Sequence, residues 1–107
     1  MKYAIIANLR VPTQAKLDKL GGDLRTEIVG RRTWGEFVFT KGKQEPNGFS
    51  ASLEVRFDTE TDMNEVFEWV KAIMSRQKIK GTISKHNCTH DENIQQPCVI
   101  LGEFRQE

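Results

Sequence analysis

From Tyr3 to Val11 the chain alternates. Tyr3, Ile5, Ala7, Leu9 and Val11 fall on one face, while Ala4, Ile6, Asn8 and Arg10 fall on the other. A two-residue period predicts a strand, and the apolar residues on both faces predict a central one. Pro12 ends it. Thr13 is a capping residue for a short helix over 14–20, with Ala15, Leu17 and Leu20 turned inward, and Gly21-Gly22 is expected to stop that helix. Residues 23–29 read two ways. Leu24, Thr26 and Ile28 alternate as in a strand, yet a further helical turn fits equally.

Over 34–41, Phe37 and Phe39 share a face opposite Glu36, Val38 and Thr40, which predicts a second strand. The stretch 42–48 contains Pro46-Asn47-Gly48, a turn signal. Next, Phe49, Ala51, Leu53, Val55 and Phe57 oppose Ser50, Ser52, Glu54 and Arg56. That alternation predicts a strand with one buried and one polar face, paired to its predecessor as a hairpin. Residues 62–76 carry Met63, Val66, Phe67, Val70, Ile73 and Met74 at helical spacing, and Asp62 with Glu65 resembles a capping box. Trp69 sits beside this stripe, where it either widens the core face or anchors a partner. Gly81 separates the helix from two last strands, expected over 82–89 and 98–105.

This order implies a single α+β domain over 1–107. A strand-helix-strand-strand-helix-strand succession is similar to a split βαβ, ferredoxin-like sandwich, here with an extra C-terminal strand. Its antiparallel sheet would carry two helices on one face. The opposite face would be free for solvent or association.

Composition adds few constraints. The chain has 16 Lys+Arg against 15 Asp+Glu, a net charge of +1. That balance argues against a dedicated polyanion binder. Charge is blocky, with acids at Asp58, Glu60, Asp62, Glu65 and Glu68, then bases at Lys71, Arg76, Lys78, Lys80 and Lys85. Acids at a helix start and bases at its end complement the helix dipole, which accounts for both blocks. No stretch approaches the roughly 20 apolar residues of a membrane span, and the N-terminal apolar run is too short for a secretory signal. A cytoplasmic protein is the expectation. On that basis Asn87-Cys88-Thr89 reads as a chance glycosylation pattern.

The chemistry-bearing residues concentrate near the C-terminus. Both histidines and both cysteines fall between residues 86 and 98: His86, Cys88, His90 and Cys98. Residues two apart on a strand share a face, so the first three line up, and a closing loop centred near Asn93 would set Cys98 across from Cys88. Two thiols and two imidazoles form a zinc ligand set, with Asp91 and Glu92 as further carboxylates. Three other readings compete: exposed strand histidines of no special role, cysteines that merely pack, and a cross-strand disulfide. Catalysis has one nucleophile-base pair on offer, Cys88 with His86 or His90, and parallel side chains on a strand suit proton transfer poorly.

These observations favour a small non-enzymatic binding protein, with a zinc site at His86, Cys88, His90 and Cys98 pinning the C-terminal hairpin against a protein partner. One alternative is nucleic-acid binding through Arg31, Arg32, Trp34, Lys78, Lys80 and Lys85. The other is a self-associating module, a homodimer without metal, meeting its copy through Ile6, Val38 and Trp69.

Overall fold

The computed structural model describes residues 2–29, 36–88 and 98–107. Along the chain run β1 (Tyr3–Val11), α1 (Gln14–Leu24), a π-helical turn (Arg25–Val29), β2 (Glu36–Glu45), β3 (Gly48–Phe57), α2 (Glu60–Gln77), β4 (Lys80–Asn87) and β5 (Val99–Gln106). The fold is α+β. Among the described residues, five strands form one antiparallel sheet in the order β2-β3-β1-β4-β5. β1 is central, paired with β3 on one side and β4 on the other, and its Ile5, Ala7, Leu9 and Val11 are at most 3% exposed against the helices.

Helix α1 runs past Gly21-Gly22, where the sequence predicts a stop. Two glycines cost roughly 2 kcal/mol of helix propensity relative to alanine. Against that stand Leu17, Leu20, Leu24 and Ile28, each buried to within 1%. Burying one such side chain is worth about 1.5–3 kcal/mol, so the continued apolar stripe outweighs the glycines. This decides residues 23–29: they are helical, closing in the π-turn. Gly21 also has a packing reason, because a Cβ there would stand 2.9 Å from the ring of Phe39 on β2.

Strand β2 extends to Glu45, beyond its expected end, through a β-bulge between Lys41 and Gln44, and a two-residue turn at Pro46-Asn47 joins it to β3. Helix α2 begins earlier than the sequence suggests. Its N-cap is Thr59, whose side chain accepts from the Asp62 N–H at 3.2 Å, so the expected box led by Asp62 lies one turn too late. The helix ends at Lys78 in left-handed conformation (φ 56°), donating to the Met74 and Ser75 carbonyls. No described helix is long and apolar enough to cross a membrane.

Both helices lie on the sheet face formed by odd-numbered β1 and β3 positions, and the core fills the space between. Trp69 is half-buried against that core, as are Tyr3, Phe37, Phe39, Phe49 and Phe104. The even-numbered face of the sheet is left open.

Candidate functional site

The proposed zinc ligands do not form a metal site. The sulfurs of Cys88 and Cys98 are bonded to each other at 2.04 Å, across a sequence separation of 10. Neither sulfur is then a thiolate, the form that binds metal or attacks a substrate. The Cys88 N–H donates to the Lys2 carbonyl at 2.6 Å, carrying the β1–β4 ladder one step further. His86 lies two residues back on β4, with Nε2 at 2.7 Å from the Ser84 Oγ. His90, Asp91 and Glu92 lie outside the described residues. Among the described residues no group of three or more His, Cys, Asp or Glu side chains is placed to hold a metal ion. The hairpin is therefore pinned covalently, and the zinc and metal-binding readings are corrected to a disulfide. Asn87, beside it, is half-buried with its Oδ1 unpartnered.

Of the residues expected for nucleic-acid binding, the described ones do not share one face. Arg31, Arg32 and Trp34 lie outside the described residues. Lys78 caps α2, and Lys80 opens β4. Lys85 points to the helix side, where its Nζ donates to Asn64 Oδ1 at 2.9 Å and sits 4.9 Å from the Phe67 ring centroid. Every described aromatic side chain belongs to the core or packs against it. The open face thus has no described aromatic on which a base could stack.

The self-association surface also changes. Ile6 (39% exposed) and Val38 (43%) lie on the open face, but Trp69 packs against the core on the other side of the sheet. Glu54 stands between Val38 and Ile6 in their row across the sheet. The three residues form no continuous apolar patch, and the dimer read from them falls.

Two surfaces stand out that the sequence reading missed. The first is the edge of β5, where Val99, Ile100 and Leu101 are 63%, 55% and 39% exposed. Ile100 is paired with His86, and the register slips beside it, between Lys85 and His86. The opposite sheet edge differs. β2 carries Glu36, Lys41 and Glu45, charges that discourage strand addition, whereas a bulge interrupts the ladder of both edge strands alike. The β5 edge has no charge from Val99 to Gly102.

The second is a groove of about 500 Å³ on the open face. Register places Thr40, Ser52, Asn8, Thr82 and Arg105 in one row across all five strands, and each is a hydrogen-bonding side chain. Ser50, Arg10 and Lys80 form the next row. Arg10 pairs with Glu45 at 3.4 Å and Arg105 with Glu107 at 3.2 Å. Gly81, in the lining, has φ +139°, and a Cβ there would fall 2.1 Å from the Asn8 carbonyl oxygen, so the close β1–β4 approach under the groove needs glycine. The signal for this groove was in the sequence as the polar parity of each strand, but only the register brings those positions together.

No protein-family model, curated protein or solved structure matches this chain.

Proposed function

We propose that this chain is a non-enzymatic interaction domain of the ferredoxin-like kind that binds an extended segment of a protein partner along β5. The observation that carries this reading is the run Val99-Ile100-Leu101, exposed on a sheet edge that has no charge before Glu103. An edge strand offers backbone N–H and C=O groups without ladder partners, and a peptide that adds as a further strand satisfies them. Side chains on alternate positions then supply selectivity. The apolar run favours a partner strand with β-branched or aromatic residues facing Val99 and Ile100. Support for the ferredoxin-like assignment is the β2-β3-β1-β4 order with both helices on one face, β5 being the added strand. A Cys88–Cys98 bond favours an oxidising compartment over the cytoplasm expected from the sequence.

The test is selection from a displayed library of short peptides on the intact oxidised protein, followed by amide shift mapping of the selected peptides. The expected result is apolar, alternating peptides whose shifts concentrate on Val99–Phe104. Ile100→Lys, which places a charge on the edge, is expected to abolish binding while leaving the melting temperature unchanged. Selected peptides that map elsewhere, or that bind Ile100→Lys equally, would overturn the proposal.

A further inference from the structure

We infer that the open-face groove is a binding site for a phosphorylated polyol, a site independent of the β5 edge. Three observations lead there. The first is the floor. Thr40, Ser52, Asn8 and Thr82 present hydroxyl and carboxamide groups in one row on neighbouring strands. Strands lie about 4.8 Å apart, so the row is a ladder of donors and acceptors with a spacing that adjacent hydroxyls of an extended or cyclic polyol can bridge, directly or through one water.

The second is charge. Arg10, Lys80 and Arg105 line the groove, with Glu107 as the acid among the lining residues. Lys80 has no ion-pair partner among the described residues. The Arg10–Glu45 pair is long, at 3.4 Å, and its side chains are 57% and 40% exposed, so an anion can replace the carboxylate with little loss. An arginine fork beside a lysine point charge suits a phosphate, with its several acceptor oxygens, better than a lone carboxylate. The register sets Arg10 directly beside Lys80, which locates the phosphate at that end of the polyol ladder.

The third is what the walls lack. No described aromatic side chain lines the groove, so a nucleobase would find no stacking surface, whereas a polyol needs none. The volume, about 500 Å³, falls in the range of small-ligand sites. The groove lies at the end of the sheet away from Glu36 and from the Cys88–Cys98 bond. Gly42 leaves room for the Ser50 hydroxyl in the wall, since a Cβ there would sit 2.2 Å from its Oγ.

The same chemistry occurs in a free sugar phosphate and in a phosphoinositide headgroup, and the experiment separates them. Isotope-labelled protein is titrated with myo-inositol monophosphate, myo-inositol and inorganic phosphate, and flotation is run with phosphatidylcholine vesicles containing phosphatidylinositol phosphate. Saturable shifts at the Asn8, Ser52 and Thr82 amides are expected with myo-inositol monophosphate, at an affinity about tenfold or more above either fragment. A headgroup source gives flotation in addition, and a free source gives none. Lys80→Gln is expected to weaken binding by about tenfold, with Lys78→Gln, outside the groove, unchanged. Both are surface variants, and unaltered melting confirms their folding. The inference is overturned if neither soluble nor vesicle-borne probe gives a saturable response at these amides, or if the two lysine variants weaken binding alike.

Discussion

Replacing Cys88 by serine opens a covalent loop with a sequence separation of 10. In the chain-entropy account, releasing a loop of that length returns roughly 9 cal/mol/K to the unfolded chain, a loss of about 2.7 kcal/mol at room temperature. A chain of 107 residues has a melting entropy of roughly 225 cal/mol/K, so the melting temperature should fall by about 12 °C. The assay is calorimetric or circular-dichroism melting of four samples: oxidised protein, the same protein with a phosphine reductant, and Cys88→Ser with and without reductant. Reduced protein and the variant should melt together, and reductant should leave the variant unmoved. A chelator should leave the oxidised protein unmoved too, because a disulfide needs no metal. Intact mass before and after reduction should differ by the two thiol hydrogens. A fall below about 3 °C would refute the argument, since the bond would then restrain nothing that the ladder between β4 and β5 does not already hold.

Two further outcomes follow from the packing and the charges. Leu24→Ala should cost about 3 kcal/mol, because Leu24 is fully buried beyond Gly21-Gly22; a cost under about 0.5 kcal/mol in denaturant unfolding would mean that residues 23–29 do not belong to the core. Lys41 donates to Asp18 at 2.6 Å and tethers α1 to β2, and that hydrogen bond holds the Asp18 carboxyl below its ordinary value of 3.8. Asp23 is held low in the same sense, chiefly by Lys19. A depressed carboxylate contributes stability above its unfolded value and loses it as pH falls through the folded value. The acid limb of the stability curve should therefore steepen below about pH 4, and Asp18→Asn should flatten it; an unchanged limb in that variant would sink the assignment.

The sequence was most legible where periodicity and punctuation agree. The alternation of β1 and β3 and the Pro46-Asn47-Gly48 signal placed a central strand and a hairpin correctly. It was least legible where two local rules conflict. Gly21-Gly22 argue for a helix stop, and Leu20, Leu24 and Ile28 argue for continuation; the outcome depends on the sheet beneath, which no local window contains. The C-terminal cluster shows a different limit. Spacing alone set Cys88 across from Cys98, but a pair of facing thiols is the starting point for a metal site and for a disulfide alike. The groove, whose polar parity the sequence does carry, was illegible as a site for a third reason. Thr40, Ser52, Asn8, Thr82 and Arg105 are spread over most of the chain, and one residue of slip in any pairing would move a member to the buried face.

The disulfide and the β5 edge are coupled by position. Cys98 directly precedes Val99, so the bond fixes the backbone where the exposed apolar run begins. A strand that accepts a partner must already be extended and paired on its inner side, or the partner's binding energy is spent on ordering it. With the bond intact, β5 is held against β4 from Asn87–Val99 onward. With the bond reduced, the first residues of β5 can fray, and affinity falls in proportion to the fraction that remains competent. If fraying takes up half of the 2.7 kcal/mol, the dissociation constant of an edge-binding peptide rises about tenfold on reduction. Peptide titration with and without reductant measures this. The groove lies at the far end of the same strands, so its affinity for myo-inositol monophosphate should be insensitive to the reductant. Weakening at both sites would mean that reduction loosens the whole sheet. Weakening at neither would mean that the β4–β5 ladder alone keeps the edge in order.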